Sequence, residues 1–314
     1  MRVVFMGSPE FAVPPLEQLV LNQYQVVSVY TRPDKPAGRG RGLVSPPVKL
    51  AAQSLGLEVA QPPSLKEAGV VEQLTRLNPD VIVVAAFGQI LPRAVLDIPR
   101  LGAVNVHPSL LPRFRGASPV AAAILAGDEF SGVSIMLMDE DLDSGPILTR
   151  AQIPISAADT TGSLTAKLSS VGASLLLEAL CHYLRGELAP QPQDEAGVTY
   201  SGIVTKNEGE ADWRLPAVDI WRRVRAFYPW PGCYTRWRGK KLDIIEALPL
   251  NNAGSFKVGE VVALPSGSAA AFGINTGDGV LGILRVQLEG KKAISAAEFL
   301  RGQREFIGVI LPSD

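Results

Sequence analysis

With 314 residues, 46% of them hydrophobic and 19% charged, the chain can bury a substantial core and does not belong to the disordered class. A net charge of −1 supplies no global positive field, so any role with nucleic acid has to come from local patches. Cys181 and Cys233 fit no zinc or CxxC spacing and suit a reducing, cytoplasmic compartment; no apolar run reaches bilayer length, and Met1–Phe11 meets Gly-Ser-Pro-Glu too early for a signal-peptide core.

Arg2–Met6 is expected as a buried strand, turned into a helix by Gly7-Ser8-Pro9-Glu10 with Ser8 as cap and Pro9 at the first helical position. The turn has a single glycine rather than GxGxxG, which argues against dinucleotide binding. After a second strand, Val26–Tyr30, comes Arg32–Leu43, a loop punctuated by glycine and proline that carries Lys35, Arg39 and Arg41. It reads either as a solvated surface loop or as a flexible arm for phosphates, which guanidinium groups grip bidentately. Pro47–Leu55 and Lys66–Leu77 read as helices around a short strand, Glu58–Gln61, and Asp80–Phe87 is an apolar run suited to a strand buried on both faces.

The next strand, Ala103–His107, is stopped by Pro108, which has no N–H for the ladder. Asn105 and His107 are two apart, so both point to one face and bring an amide and an imidazole to the strand's carboxyl end. That is the edge where open α/β sheets place their ligands. A helix at Val120–Ala126 and a strand at Val133–Met138 lead to an acidic turn with Asp139, Glu140, Asp141 and Asp143. The turn lacks the EF-hand pattern; it is either solvated or the source of a carboxylate for the Asn105–His107 site.

Thr160–Arg185 has helical spacing of apolar residues, with His182 in a structural or surface position, and Gly186–Val198 reads as a linker over the surface. Beyond it, a helix at Trp221–Phe227 is broken by Pro229-Trp-Pro-Gly232. Short strands follow at Cys233–Arg238, Leu242–Leu248, Val258–Leu264, Ala269–Ile274 and Val280–Leu288. The expected fold is α/β: a doubly wound, mostly parallel Rossmann-like sheet domain (1–188), a linker (189–207) and a smaller C-terminal OB-like β-barrel domain (208–314). From Glu208 onward the excess of positive charge is only two, too little by itself to establish nucleic-acid binding.

Asn105-Val-His-Pro-Ser-Leu-Leu-Pro112 is similar to the signature of folate-dependent formyltransferases, and Leu142-Asp-Ser-Gly145 resembles their second, aspartate-bearing motif. Arg32–Gly42 resembles the basic loop, and Arg225-Ala-Phe-Tyr-Pro-Trp-Pro231 the start of the C-terminal domain, of the methionyl-tRNA formyltransferase family. The resemblance covers nearly the whole chain. It implies formyl transfer from 10-formyltetrahydrofolate to the methionine α-amino group of initiator methionyl-tRNA, without a metal, by a cytoplasmic monomer that has no membrane partner. Asn105, His107 and Asp143 fall on the family's catalytic positions, with the amide for an oxyanion and His107 or Asp143 for proton traffic.

By the same resemblance Ser109, Leu110, Leu111 and Pro112, together with Phe87, Gly88, Ile90, Leu91, Asp139 and Leu142, should line the folate site. Lys35, Arg39, Arg41 and Lys206 should meet the tRNA. Ser144, Phe114 and the scarcity of lysine in the loop depart from the usual pattern, the last where individual RNA contacts are concerned. The same catalytic site could serve an amino-sugar nucleotide, but the enzymes of that kind are usually fused to a large dehydrogenase domain, which has no room after Leu248. A formyltetrahydrofolate hydrolase would keep the triad and lack the basic arm, and a non-catalytic RNA-binding protein would leave the triad idle.

Overall fold

The computed structural model describes residues 1–37, 42–251, 257–265 and 267–313. In chain order the first half runs β1 (Arg2–Gly7), α1 (Val13–Leu21), β2 (Gln25–Tyr30), β3 (Lys35–Ala37), β4 (Gly42–Val44), α2 (Pro47–Ser54), β5 (Val59–Ala60), α3 (Ala68–Leu77), β6 (Val81–Ala85), α4 (Arg93–Leu96) and β7 (Ala103–His107). It continues with β8 (Arg115–Gly116), α5 (Pro119–Ala126), β9 (Phe130–Leu137), β10 (Ile147–Pro154), α6 (Thr161–Leu184) and β11 (Tyr200–Ser201). Two compact units divide these residues: Met1–Pro119, Phe130–Pro154 and Thr165–Ser201 form one, and Val120–Glu129, Ile155–Leu164 and Gly202–Asp314 the other.

The first unit is built on a seven-stranded sheet in the order β10-β9-β7-β6-β1-β2-β5. From β5 to β7 the strands are parallel; β9 runs antiparallel to β7, and β10 antiparallel to β9. The middle of the parallel sheet is mainly apolar, β6 (Val-Ile-Val-Val-Ala) entirely so, because both faces are covered. On one face Val4, Met6, Ile82, Val84 and Ala103 pack with Leu74 of α3 and Val95 of α4. Within α6, Leu168, Leu176 and Leu180 are buried, and Ser169 Oγ donates to the Phe11 carbonyl at 2.7 Å. By length and apolarity α6 passes for a membrane span, yet half of that stretch is buried within the protein.

Two local expectations are corrected. Ser8 does not cap a helix, and the helix does not begin at Pro9: Pro9 is the N-cap of a 3-10 turn at Glu10–Ala12 that leads into α1. The Ser8 hydroxyl is spent across strand ends instead, donating to the Phe87 carbonyl at 3.1 Å and accepting from Arg32 N at 3.1 Å. The stretch read as a loop at Arg32–Leu43 contains a short hairpin, with Lys35 paired to Val44 and Ala37 to Gly42.

The second unit comprises α7 (Ala217–Ala226), β12 (Cys233–Trp237), β13 (Lys240–Leu250), β14 (Val261–Ala263), β15 (Phe272–Asn275), β16 (Val280–Leu288), β17 (Ile294–Ser295) and α8 (Ala296–Gly302). Its antiparallel sheet, ordered β12-β13-β16-β15-β14 with β17 added against β16, curls into a half-barrel, helped by register shifts around Glu246 in β13. Trp237, Phe272, Phe299 and Phe306 fill its core, with Phe306 edge-on to Trp237, Phe299 and Phe272 at centroid distances of 5.0, 5.1 and 5.3 Å.

Candidate active site

The site grows from the end of β7. Pairing of β7 with β6 sets Asn105 opposite Val84, and pairing with β9 sets His107 opposite Ser134 and Asn105 opposite Met136. Asn105 and His107 therefore share one face, both nearly sealed from solvent at 8% and 4% exposure. Among the described residues the Asn105 side-chain amide has no hydrogen-bond partner, and it is not among the fully sealed polar groups, so it is free for a ligand.

His107 is oriented by the loop that follows it. Nε2 lies 3.1 Å from the Phe114 carbonyl oxygen. A carbonyl only accepts, so this network assigns the proton to Nε2 and leaves Nδ1 bare in the neutral ring. The loop is tied at several points: Ser109 Oγ donates to Arg113 O at 2.7 Å, and Phe114 N donates to Thr199 Oγ1 at 2.8 Å. Ser134 Oγ donates to Ser109 O at 2.7 Å and accepts from Leu111 N at 3.0 Å.

The acidic turn after β9 brings Asp143 to the same place, its Oδ2 3.7 Å from His107 Nδ1. Asp143 has φ 51°, a left-handed backbone that aspartate tolerates better than most residues. Gly116 N donates to Asp143 Oδ2 at 2.8 Å. Two glycines allow this packing, since a Cβ on Gly116 would strike the Ser201 carbonyl oxygen and one on Gly145 the Leu137 carbonyl oxygen. Burial pushes the His107 ring below its ordinary pKa, while the Asp143 charge and the Phe114 carbonyl pull the other way; the net direction is down. At neutral pH the ring is an uncharged base facing a carboxylate.

The stretch read as a surface linker does more than connect. Gln191 pairs with Ile147 through two backbone hydrogen bonds of 2.8 Å. Gln193 Nε2 donates to the carbonyls of both Asp143 and Gly145 at 2.8 Å, and its Oε1 accepts from Arg115 Nε at 3.1 Å. Arg115, 3% exposed, also donates to Glu195 at 2.9 Å. Sequence reasoning missed Gly116, Ser134, Arg115 and Gln193, whose side-chain partners lie 23 to 80 residues away along the chain.

Gln193→Glu is a near-isosteric test of this brace, because a carboxylate cannot donate to two carbonyls. The expected result is a destabilisation of about 1–3 kcal/mol in thermal unfolding together with a loss of turnover. Gln193→Glu with the turnover of the unaltered protein would show that the brace does not hold Asp143.

The remaining candidates are placed as follows. Ser109, Leu111, Phe87 and Leu91 are buried, Leu111 within a small cluster with Met136 and Ile147. Leu110 reaches over Gly132 of β9, and Pro112 lies beside Gly197. Ile90 and Leu142 are large apolar residues left 76% and 60% exposed, and Asp139 accepts from Ser144 Oγ at 2.8 Å. Gly88 has φ 79°, with the Arg32 side chain lying over it. Lys35 is exposed on β3, and Lys206 is exposed in a short 3-10 helix of the second unit. Arg39 and Arg41 lie outside the described residues.

Comparison with known proteins adds the following. A formyl transferase family matches residues 1–180, and a formyl transferase C-terminal domain matches residues 203–304. The chain is similar to a methionyl-tRNA formyltransferase of Dehalococcoides mccartyi, at 52% identity over 99% of this chain and 98% of the relative. It is similar to one of Roseiflexus sp. at 49% identity over 97% and 93%. Among solved structures the fold resembles WlaRD, a sugar 3N-formyl transferase crystallised with dTDP and 5-N-formyl-THF, with TM-score 0.66 and 17% identity over 93% of this chain and 99% of that one. It also resembles HypX from Aquifex aeolicus in complex with tetrahydrofolic acid, with TM-score 0.62 and 20% identity over 96% of this chain and 47% of that one.

Proposed function

Because the chain belongs to the methionyl-tRNA formyltransferase family, we propose that it transfers the formyl group of 10-formyltetrahydrofolate to the methionine α-amino group of initiator methionyl-tRNA. The observation that carries the site assignment is the conjunction of an uncommitted amide on the mostly buried Asn105 with a neutral His107 whose bare Nδ1 faces Asp143. Asn105 donates an N–H to the formyl oxygen as that oxygen gains charge, a contact of the kind worth about 3–4 kcal/mol in a protease. As the amine nitrogen bonds to the formyl carbon, Nδ1 of His107 takes the amine proton, and the Asp143 carboxylate stabilises the resulting imidazolium. The bond from the formyl carbon to the donor nitrogen then breaks, and His107 returns the proton to that nitrogen. Reagents and products balance without a covalent enzyme intermediate, and the buried Ser109 hydroxyl stays engaged with Arg113.

The donor supplies an activated one-carbon group when bound. The residue types assigned to it suit the group: Ile90 and Leu142 leave large apolar surfaces exposed, Asp139 offers a carboxylate, and a pterin has an apolar face and a hydrogen-bonding edge. In this reading the buried Ser109, Leu111, Phe87 and Leu91 shape the site from the core. Lys35 and Lys206, with Arg39 and Arg41, take the RNA, and the protein works as a cytoplasmic monomer in this reading.

An acceptor assay with formyl-folate tests the assignment by offering charged initiator tRNA beside an amino-sugar nucleotide and water. Formyl transfer is expected to the charged tRNA and not to the other two. Equal transfer to the sugar amine would overturn the choice of acceptor while leaving the site chemistry in place.

A further inference from the structure

The two ring nitrogens of His107 have competing neighbours. Asp143 Oδ2 lies 3.7 Å from Nδ1 and favours a proton there. The Phe114 carbonyl oxygen lies 3.1 Å from Nε2 and favours the proton at that end. A neutral ring carries one proton, so its tautomer is decided by which partner is held more firmly in place. With the proton on Nδ1, the nitrogen that faces Asp143 has no lone pair left to act as a base, and the bare Nε2 points at a carbonyl oxygen. The position of the Phe114 carbonyl therefore governs what the ring can do.

That carbonyl is held against the preference of its own backbone. Phe114 has φ 61°, a left-handed conformation that costs a bulky residue free energy and persists only where neighbours over-determine it. Thr199 grips the chain on both sides of Phe114. Its Oγ1 accepts from Phe114 N at 2.8 Å, and its carbonyl oxygen accepts from Arg115 N at 2.9 Å. The second of these bonds fixes the same peptide plane whose carbonyl points at His107. The ladder continues past Thr199, where Tyr200 pairs with Arg115 and Ser201 with Gly116. Gly116 N in turn donates to Asp143 Oδ2 at 2.8 Å. One short register, starting at Thr199, thus sets both partners of the imidazole.

We infer that Thr199 is a positioning residue for His107: by gripping the two peptides that flank Phe114, it holds the ring proton on Nε2 and keeps Nδ1 bare. Its importance to turnover rests on the reading of His107 as the base given above. Thr199 acts through Phe114 and not on the reacting atoms. Gln193 braces the carboxylate half of the pair, and Thr199 braces the imidazole half. Both come from the stretch that follows α6, which gives that return segment a part in the site beyond connection.

Nitrogen NMR of the full chain with ¹⁵N-labelled histidine rings tests this, since His107 and His182 are the only two histidines and the exposed His182 serves as a reference. At a pH where the ring is neutral, His107 of the unaltered protein is expected to show a protonated Nε2 and a bare Nδ1. Thr199→Val keeps the branched shape and loses the acceptor, so the proton is expected to move toward Nδ1. Turnover should fall by at least about tenfold with KM values unchanged, within the about 10⁴-fold that a wrong tautomer costs a serine protease. Thr199→Ala, equally without an acceptor, should do the same, and Thr199→Ser, which keeps the hydroxyl, should restore both the tautomer and the turnover. Thermal unfolding checks that each variant is folded. A folded Val or Ala variant with its proton still wholly on Nε2 overturns the inference, as does a proton found on Nδ1 in the unaltered protein. A tautomer that moves while turnover holds leaves the role of Thr199 standing and removes His107 as the base, so the two readings fail separately.

Discussion

Replacing His107 with alanine lowers turnover of formyl transfer by about 10²–10⁴-fold, the usual contribution of a positioned acid–base group. The ring is held by one hydrogen bond to the Phe114 carbonyl and sits among loop segments fixed independently by Ser109, Ser134 and Thr199. The loop should therefore survive the loss, and circular dichroism with thermal unfolding provides the control. Turnover within a few-fold of the unaltered protein would remove His107 from the mechanism.

The same residue leaves a signature in stability. Its folded-state pKa is depressed by burial below the ordinary value of about 6.5. The folded protein thus binds fewer protons than the unfolded chain between the two values, and stability falls as pH drops from about 6.5 through the folded pKa. Above that window the contribution is fully present. His107→Ala removes this component of the slope, while carboxylates such as Asp34 and Asp80, whose pKa values are held down by hydrogen bonds to Lys49 and Arg100 respectively, continue to lose theirs at lower pH.

The half of the site carried by one strand was legible because a strand has a strict period of two. Asn105 and His107 had to share a face wherever the strand ran, and the Pro after His107 marked its end. The apolar run in β6 likewise announced burial on both faces before its neighbours were known. What joins those residues to Asp143 was not legible. A glycine amide at 116, a glutamine at 193 and an arginine at 115 acquire meaning only when segments dozens of residues apart are folded together. One signal in the second unit was readable and passed over: Ser295-Ala-Ala-Glu298 is a capping box, and it opens α8. At Ser8 the helix-cap pattern failed for the opposite reason, because Phe87 and Arg32 competed for the hydroxyl.

Asp143→Asn isolates the charge from the geometry. The asparagine oxygen can still accept from Gly116 N, and the brace from Gln193 acts on backbone carbonyls, so the turn keeps its position. What disappears is a negative charge 3.7 Å from His107 Nδ1. Near a protein surface two unit charges at that separation interact by about 4 kcal/mol, which corresponds to a loss of roughly 10³-fold in turnover at about 1.4 kcal/mol per decade. Asp143 also raises the affinity of the ring for protons, so its removal moves the acid limb of the pH–rate profile to lower pH as the plateau falls. A limb that disappeared altogether would assign the proton transfer to Asp143 rather than to His107. The double variant adds the decisive comparison. If carboxylate and imidazole act as one unit, His107→Ala with Asp143→Asn is scarcely slower than His107→Ala alone. Fully additive losses would mean that Asp143 serves the reaction through a separate contact with the substrate.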